Sequence, residues 1–483
     1  MKEQYLYSAA QVRELDRIAI EDFKISGLML MRRAADACVK EITASYPKIG
    51  EVTVFCGSGN NAGDGYIIAG MLAEKGHNVQ VIVIGDPGKL GADAKASYHY
   101  CETSRARLES ENFQIQGDLV VDALLGTGLT GAVRENYVDA IQLINSSNKP
   151  VLSVDIPSGL CADTGSVLGC AVTADITVTF IGKKRGLFTN DGPDYAGRVV
   201  FHSLEVPEDL YGSQKFKPVT MLAAPDFPTR RKNSYKTTHG HVLVIGGDHG
   251  LGGAVILSSE AALRTGAGLV SVATRPENVT ALLARRPEIM VKGVDNKDQL
   301  QSLLEKATAL VVGPGLGHCD WSRELLAAAL DSQLPVVVDA DGLNILATQE
   351  ITREHWVLTP HPGEASTLLA GAGIQEDRFA ATQALQQKYG GVVLLKGIGT
   401  LVSDGNELSL CPFGNPGMAT AGMGDVLSGV IGALLAQGYS SYEAATYGAT
   451  LHARAGDIAA ENEGERGLIA TDVISAIRRL VNA

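Results

Sequence analysis

Short runs of apolar and β-branched residues alternate with longer segments whose apolar residues recur at helical spacing, and this alternation constrains the fold most. The short runs predict strands, and the longer segments predict helices. Strands that alternate with helices are joined by right-handed crossovers into mostly parallel sheets. The sequence therefore predicts an α/β protein.

Two such series are separated by a proline-rich, partly basic stretch between Leu204 and Tyr235, and 483 residues are enough for two domains. We predict a Rossmann-like three-layer α/β/α domain over residues 1–213, a linker over 214–229 and a second α/β domain over 230–483. The predicted strands are Val52–Cys56, Val79–Ile84, Leu119–Ala123, Val151–Asp155 and Ile176–Phe180 in the first series, and Val242–Ile245, Leu269–Ala273, Ala309–Val312, Val336–Asp339, Val357–Thr359 and Val392–Leu395 in the second. The predicted helices include one after the capping box Ser8–Gln11, one over Gly27–Ser45, others from Asp64, near Ala92 and near Asn136, and a helical C-terminus over Asp425–Val481.

The composition excludes several classes of protein. Hydrophobic residues make up 45% of the chain and charged residues 20%, which suffices for large cores, while a formal net charge of -13 argues against nucleic-acid binding. The seven cysteines are scattered without a Cys-x-x-Cys pair, so neither a disulfide scaffold nor structural zinc is expected. No apolar run is long enough to span a membrane. We predict a cytoplasmic protein without nucleic-acid or membrane partners.

A glycine-rich turn from Gly414 to Asp425 leads directly into an apolar segment that begins at Val426. A helix N-terminus presents unpaired N–H groups and the positive end of the helix dipole, and glycines let an oxyanion approach them. We predict that this turn holds a phosphate while Asp425 reaches the reacting atom. A helix cap without a ligand is the alternative explanation of Asp425.

In the first series, a glycine-rich loop over residues 57–65 joins the strand Val52–Cys56 to a helix. Phosphates bind at such strand ends in doubly wound folds, but the spacing differs from G-x-G-x-x-G, and a tight turn without a ligand is the alternative. Three further strand ends carry polar loops that contain Asp122, Asp155 and Gly182. An aspartate there can also be a helix cap or a salt-bridge partner, but four polar loops on one sheet edge favour a binding site.

The strings G-x-G-N-N-x-G-D-G, V-D-A-L-L-G-T-G-L and V-D-I-P-S-G-L resemble the NAD(P)H-hydrate epimerase family over residues 1–210. This resemblance implies that Asp155 is a catalytic residue beside the damaged nicotinamide ring. It also implies a potassium ion held by Asn61, Asp122 and Ser158. Ala62 departs from the glycine usual at its position, which a negative φ would accommodate. The substrate-binding residues implied are Asn60, Asn61, Ala62, Gly63 and Asp64 at the phosphates, and Gly126, Thr127, Gly128, Leu129, Thr130, Gly131, Ala132 and Asp155 around the rest of the dinucleotide.

The second series carries glycine-rich or acidic loops after most of its strands. Paired acids at a strand end, such as Asp339 and Asp341, are typical of Mg²⁺ bound together with phosphate. Glu364 can also be a first-turn acid favoured by the helix dipole, and His361 can be purely structural. No G-x-x-x-x-G-K-[ST] motif is present, so this is not a P-loop enzyme.

Six strings of this series are similar to the ADP- or ATP-dependent NAD(P)H-hydrate dehydratase branch of the ribokinase-like superfamily, over residues 230–483. The strings are H-G-x-V-L-V-I-G-G, G-P-G-L-G, D-A-D-x-L-N, T-P-H-P-G-E, L-K-G-x-G-T and G-N-P-G-M-A-T-x-G-M-G-D. The resemblance implies a ribokinase-like α/β domain, ADP or ATP with Mg²⁺ as phosphoryl donor, and Asp425 as catalytic base. The contact residues implied are Ala254, Gly315, His361 and Asp425 for the hydrated dinucleotide, and Lys396, Gly397, Ile398, Gly399, Thr400 and Gly424 for the adenosine nucleotide.

Together the two resemblances imply an enzyme that repairs hydrated NADH and NADPH (NADHX and NADPHX). Phosphorylating the ring hydroxyl converts it into a leaving group, so that elimination restores the cofactor. The first domain would interconvert the R and S hydrates, of which the second domain uses the S form. We expect Asp425 to have a low pKa because it lies at a helix N-terminus. The sequence leaves open ADP or ATP, NADH or NADPH hydrate, the oligomeric state and whether both domains are active, and we expect a homo-oligomer.

Two alternatives remain at this stage. A vitamin or sugar kinase of the ribokinase-like superfamily would use the same turn but release a phosphorylated product, with the first domain as a non-catalytic nucleotide-binding module. A binding protein with a catalytically silent first domain is the other alternative, and the presence of Asp122 and Asp155 speaks against it.

Overall fold

The computed structural model describes residues 4–110, 114–212 and 216–482, which form two compact units, Met1–Val219 and Thr220–Ala483. The predicted junction between the first domain and the linker, with linker residues 214 and 215, lies outside the described residues. The segment predicted as a linker contains a strand, Val219–Met221, whose residues 220 and 221 pair with Leu408–Cys411 of the second unit. The exact domain bounds therefore remain a prediction.

The first unit is built on one parallel sheet. Each strand is connected to the next by a crossover that brings the chain back to the edge at which the strands begin, so that all of them run in the same direction. Its strands, in spatial order, are Arg107–Glu109, Asn78–Val83, Glu51–Cys56, Leu119–Ala123, Val151–Val154, Ile176–Phe180 and Arg198–His202. A separate short parallel pair joins Tyr5–Tyr7 to Lys183–Lys184. The helices are Ala9–Glu21, Gly27–Ser45, Asn60–Glu74, Ala92–Glu102, Glu135–Ser146, Gly192–Ala196 and Asp209–Gly212, with 3₁₀ turns at Pro87–Lys89 and Arg185–Phe188.

Both faces of this sheet are buried, which explains the continuous apolar runs of its strands. Val54 packs into the apolar cluster on one face, whereas the next residue, Phe55, packs into the cluster on the other. Successive residues of a strand point to opposite faces, so the sheet lies between two helical layers. The predicted three-layer α/β/α architecture is confirmed.

The second unit continues the same alternation. Its strands, in spatial order, are Met290–Gly293, Leu269–Thr274, His241–Ile245, Ala309–Val312, Val336–Val338, Trp356–Leu358, Val392–Leu395, Thr400–Ser403, Leu408–Cys411 and Val219–Met221. The first seven run parallel, and Thr400–Ser403 is antiparallel to both of its neighbours. The helices are Gly252–Thr265, Val279–Arg285, Lys297–Leu304, Asp320–Asp331, Asp341–Leu346, Pro362–Leu368, Arg378–Tyr389, Met423–Ala436, Ser441–Glu463 and Ala470–Leu480, with 3₁₀ turns at Lys236–His239, Pro276–Asn278 and Pro416–Met418.

Glycines bring the central helix of this unit close to its neighbours. A Cβ atom on Gly429 would lie 2.0 Å from the carbonyl oxygen of Ser258, in the helix Gly252–Thr265. The close approach fixes the helix Met423–Ala436, and with it the turn that precedes it, against the helix Gly252–Thr265. Within the described part of the chain, no helix is both long and apolar enough to cross a bilayer.

Candidate active sites

The first unit contains a cavity of 640 Å³ between the loops that follow the strands Glu51–Cys56 and Leu119–Ala123. The connections from these two neighbouring strands run in opposite directions along the sheet, and doubly wound folds bind ligands at such a point. Most of the residues predicted for the epimerase site line this cavity. They are Asn60, Asn61, Asp64, Gly126, Thr127, Gly128, Leu129, Thr130, Ala132 and Asp155.

Ala62, Gly63 and Gly131 do not line the cavity. The helix predicted from Asp64 begins four residues earlier, at Asn60, so Ala62 and Gly63 belong to its first turns. A Cβ atom on Gly63 would lie 2.9 Å from the sulfur of Met31, which places this residue against the neighbouring helix. Ala62 is fully buried with a helical backbone, so its methyl group is accommodated.

Asp155 adopts a left-handed backbone with φ of +68° directly after the strand Val151–Val154. Its Oδ1 accepts hydrogen bonds from Thr179 Oγ1 at 3.3 Å and from the Phe180 N–H at 3.2 Å, and it forms an ion pair with Lys184. Lys184 Nζ also donates to Thr179 Oγ1 at 3.1 Å and to the Phe180 carbonyl at 3.0 Å. A strained residue held by this many contacts is typical of a functional site.

Two further carboxylates, Asp16 and Asp64, line the same cavity as Asp155 and Lys184. Burial raises the pKa of Asp16 to about 6, an effect that Lys184 opposes and Asp155 reinforces. Burial, together with Asp155 and Asp16, raises the pKa of Asp64 well above its usual range. The cavity is therefore lined by four carboxyl groups, of which Asp93 is the fourth, and by one buried ammonium group.

The three residues predicted to hold potassium meet around the backbone of Leu125. Asn61 Nδ2 donates to the Leu125 carbonyl at 3.1 Å, and Ser158 Oγ accepts from the Leu125 N–H at 2.8 Å. Ser158 Oγ also donates to Asp122 Oδ1 at 2.6 Å. The remaining donors to the buried Asp122 carboxylate are the N–H groups of Ser158 and Leu124 and the hydroxyl of Ser153.

In the second unit, Gly422 precedes the helix Met423–Ala436 in the left-handed conformation, with φ of +88°, and no described side chain caps this helix. The N–H groups of its first turn therefore point toward solvent or a ligand. A Cβ atom on Gly424 would lie 3.2 Å from Lys396 Nζ and 3.6 Å from Asp339 Oδ2. The absence of a side chain at Gly424 leaves this amine and this carboxylate next to the turn.

Lys396 links two acids from neighbouring strand ends. Its Nζ lies 2.9 Å from Asp339 Oδ1 and 3.6 Å from Glu364 Oε2. Burial opposes the charge on Lys396, but both carboxylates outweigh it and raise its pKa. Asp339 Oδ1 also accepts from Thr359 Oγ1 at 2.8 Å. The lysine is therefore held as an ammonium group beside the glycine turn.

Asp425 lies in the first turn of the helix, as predicted, but the expected low pKa is wrong. Burial, followed by the nearby Asp339 carboxylate, raises its pKa to about 7, and Lys396 opposes this shift. Asp341 and Glu364 raise it further. Burial, reinforced by three neighbouring carboxyl groups, therefore outweighs the helix dipole and Lys396.

The loop Lys396–Thr400, predicted to contact the adenosine nucleotide, follows the strand Val392–Leu395. Gly397 and Gly399 have φ of +136° and +63°, conformations that favour glycine, and Ile398 is exposed. Thr400 Oγ1 donates to the Gly397 carbonyl at 2.9 Å, which closes the loop.

The residues predicted for the hydrated dinucleotide fall into two groups. A Cβ atom on Gly315 would lie 3.2 Å from Ala254 Cβ, so these two residues adjoin at the point where the sheet connections diverge. His361 caps the helix Pro362–Leu368, and its N–H donates to Glu364 Oε2 at 2.7 Å. His361 is thereby linked through Glu364 to Lys396, while its imidazole remains exposed.

Sequence reasoning missed Asp16 and did not assign a role to Lys184. Asp16 lies on the helix Ala9–Glu21, four residues after the buried Val12 and three before the buried Ala19. An acidic residue on the buried stripe of an amphipathic helix is a signal that the pattern itself contained.

Comparisons with known proteins give matches to both units of the chain. Residues 242–479 match the family model described as NAD(P)H-hydrate dehydratase, and residues 27–186 match that described as YjeF-related protein N-terminus. A bifunctional NAD(P)H-hydrate repair enzyme of Coxiella burnetii is 47% identical over 486 residues, covering 99% of this chain and 99% of the relative. The chain belongs to the family of bifunctional NAD(P)H-hydrate repair enzymes.

A further relative and a solved structure support this assignment. The bifunctional NAD(P)H-hydrate repair enzyme of Escherichia coli is 41% identical and is matched over 99% of this chain and 94% of its own length. A solved ribokinase-like superfamily protein of Enterococcus faecalis is 32% identical, with a TM-score of 0.50, and covers 53% of this chain and 91% of its own. The predicted ribokinase-like fold is confirmed, and a vitamin or sugar kinase is not favoured because the repair-enzyme relatives match both units.

Proposed function

We propose that this chain returns hydrated NADH and NADPH to the reduced cofactors. The division of labour follows the two units: residues 1–213 interconvert the R and S hydrates, and residues 230–483 dehydrate the S hydrate at the expense of ADP or ATP. The observation that carries the proposal is Asp425 on an uncapped helix turn beside the Lys396–Asp339 ion pair. A kinase-like site of this kind can carry out a dehydration because it converts hydroxide, a poor leaving group, into phosphate.

In the dehydration, Asp425 accepts the proton of the ring hydroxyl as the phosphoryl group arrives. A carboxylate with a pKa of about 7 is a better base than an ordinary aspartate and is still ionised in half or more of the molecules above neutral pH. The N–H groups at residues 423–425 and the Lys396 ammonium group neutralise charge on the phosphoryl group. Elimination of phosphate then restores the dihydropyridine ring.

The remaining predicted contacts follow from this arrangement. We assign Lys396, Gly397, Ile398, Gly399, Thr400 and Gly424 to the adenosine nucleotide, and Ala254, Gly315, His361 and Asp425 to the hydrated dinucleotide.

The residues beside the turn suit Mg²⁺ bound through a nucleotide. The described residues contain no cluster of three His, Cys, Asp or Glu side chains able to hold a metal, which suits an ion held largely by phosphate oxygens and water. Asp339 and Asp341 would hold it from the protein side, and Asp339 Oδ2 lies next to the Gly424 turn. When bound, Mg²⁺ supplies positive charge to the donor phosphates.

In the epimerisation, Asp155 exchanges protons with the hydrated ring, and the lining residues of the 640 Å³ cavity hold the dinucleotide. Asn60, Asn61 and Asp64 lie near its phosphate end, with the backbone of Ala62 and Gly63 behind them, and Gly126 to Ala132 enclose the rest. The buried Asp122 carboxylate accepts only from neutral donors among the described residues, so a bound cation would balance its charge. Oxygen atoms of Asn61, Asp122 and Ser158 would hold potassium, which supplies that positive charge when bound.

The pairing of activities has a chemical reason. Spontaneous hydration gives both epimers, whereas a stereospecific dehydratase uses one, so an epimerase on the same chain makes the other available. We propose a cytoplasmic location, which the seven free cysteines support. Assembly into a homo-oligomer without nucleic-acid partners remains a prediction that light scattering can test.

The decisive experiment supplies the full-length protein with S hydrate, Mg²⁺ and ADP or ATP and follows the return of NADH absorbance. Asp425→Asn is expected to bind nucleotide normally but to lose about 10²–10⁴-fold in turnover, because its amide cannot accept the proton. Asp298→Asn, an exposed first-turn aspartate of another helix, is the matched control. Near-normal dehydration by Asp425→Asn would remove Asp425 from this role. Incubation of the R hydrate without nucleotide tests the first activity, and an unchanged R:S ratio would show that the first domain is silent.

A further inference from the structure

Asp16 and Asp64 differ from Asp155 in the number of hydrogen bonds that their carboxyl groups accept. Asp155 accepts from Lys184, Thr179 and Phe180. Asp16 and Asp64 line the same cavity, yet neither makes a hydrogen bond or an ion pair within the described part of the chain. An unpaired carboxyl group that is largely removed from water is costly unless it holds a proton or a ligand.

Asp16 is directed inward by its position on the buried stripe of the helix Ala9–Glu21. The charged and titratable groups that act on it or line the cavity with it come from every element packed around it. They are Arg13, Asp64, Asp93, Arg134, Tyr137, Asp155, Lys184 and Tyr211. Lys184 already donates to Asp155, Thr179 and the Phe180 carbonyl, so its three N–H groups are occupied. The carboxyl group of Asp16 is therefore available to a ligand bound in the cavity.

We propose that Asp16 is a second catalytic residue of the epimerisation, and that it exchanges a proton with the ring nitrogen while Asp155 exchanges one with the ring hydroxyl. This inference rests on the proposed epimerase function. It assigns the two carboxyl groups to the two polar atoms bonded to the same ring carbon.

The chemistry of the substrate requires such a pair. Water adds to the carbon next to the ring nitrogen, because protonation of an enamine makes that carbon electrophilic, and the product is a carbinolamine. Asp155 takes the hydroxyl proton, the carbon–nitrogen bond breaks with its electron pair going to nitrogen, and Asp16 protonates that nitrogen. The resulting aldehyde rotates and presents its other face. Ring closure returns the nitrogen proton to Asp16 and the Asp155 proton to oxygen, so atoms and charges balance.

Opening the ring also avoids an unwanted product. Breaking the carbon–oxygen bond instead would give an iminium ion, which becomes NADH by losing one proton. An epimerase that used that route would itself dehydrate its substrate, and the second domain would be superfluous.

Asp16 suits the exchange because its pKa lies close to neutral. The pKa of Asp16 is raised to about 6, so both of its forms are populated near neutral pH. Burial, together with the neighbouring Asp155 and Asp16 carboxyl groups, also raises the pKa of Asp64 well above its usual range.

The test measures the conversion of R to S hydrate by the full-length enzyme without nucleotide, as a function of pH. Asp16→Asn is expected to lower kcat about 100-fold or more with little change in KM, and to abolish the decline in kcat/KM that the wild type shows above about pH 6. The matched control, Asp22→Asn, changes an exposed residue at the end of the same helix and should behave as wild type. Dehydration of S hydrate by Asp16→Asn should be unchanged, which shows that the protein is folded.

Three outcomes separate the possibilities. If the wild type leaves the R:S ratio unchanged, the proposed epimerase function itself fails. If the wild type is active and Asp16→Asn retains its rate and pH profile, or changes KM alone, Asp16 is not catalytic. When the reaction runs in H₂¹⁸O, ring opening is expected to leave the original oxygen in most of the epimerised product. Incorporation of ¹⁸O at every turnover would refute the ring-opening mechanism.

Discussion

Replacing Asp425, the proposed catalytic base, by asparagine is expected to stabilise the protein while greatly slowing dehydration. The pKa of Asp425 is raised from 3.8 to about 7, so ionising this residue costs more in the folded than in the unfolded chain. Each pH unit between the two values is worth about 1.4 kcal/mol, which sets an upper limit of ~4 kcal/mol. Partial solvent access reduces the expected gain to about 1–2 kcal/mol.

The sign of the effect depends on pH. Between about pH 4 and pH 7 the folded wild type holds a proton that the unfolded chain has released, so its stability falls as pH rises. The neutral amide of the Asp425→Asn variant carries no such cost, so the variant gains on the wild type across this window and keeps a constant advantage above it. Lys396 retains Asp339 and Glu364 as partners in the variant.

The assay is denaturant unfolding of both proteins from pH 4 to pH 8, following the transition that added ATP shifts. Asp298→Asn, an exposed first-turn aspartate, should be neutral or destabilising by about 0.3–1 kcal/mol, because it loses only its interaction with the helix dipole. Equal stability of wild type and Asp425→Asn at pH 8, or a difference independent of pH, would refute the reasoning.

Three further outcomes are expected from the second unit, and one from the first. Dehydration should rise about tenfold per pH unit below about pH 7 and then level off, since Asp425 must be ionised to act as a base, and a profile that is flat from pH 5 to pH 8 would contradict this. Gly424→Ala, whose Cβ would lie 3.2 Å from Lys396 Nζ, should raise the KM for nucleotide about tenfold or more without unfolding the protein. Gly429→Ala, whose Cβ would lie 2.0 Å from the Ser258 carbonyl, should instead lower stability by about 1–3 kcal/mol, as measured by urea unfolding. Ser158→Ala should weaken the stimulation of epimerisation by KCl relative to choline chloride, and equal stimulation of both proteins would remove Ser158 from the ion site.

Strands buried on both faces were predictable from the sequence. Leu119–Ala123, Ile176–Phe180, Ala309–Val312 and Val392–Leu395 have the predicted bounds, because continuous apolar runs arise where helices cover both sides of a parallel sheet. The antiparallel strand Thr400–Ser403 was not predicted, since it is short and follows directly after a glycine loop.

Two predictions from the local sequence were wrong because contacts in the folded protein outweigh the usual preference of a residue. The helix Asn60–Glu74 begins four residues before its predicted start at Asp64, and the prediction is late because Gly63 and Gly65 are typical of a loop. A Cβ atom on Gly65 would lie 2.6 Å from Ala123 Cβ, so this helix needs glycine to approach the sheet. The pKa of Asp425 was misjudged for a related reason. Its main charged neighbours, Asp339 and Lys396, are distant in the chain and adjoin it only in the folded unit.

The left-handed backbone at Asp155 limits which substitutions this position tolerates. Apart from glycine, only asparagine and aspartate adopt that conformation at low cost. One nucleotide change, from an aspartate to an asparagine codon, would thus keep the backbone while removing the charge. With the proposed role of Asp155, a descendant that lost epimerisation in this way would keep its shape and its second activity, and only the side chain at this one position would reveal the loss.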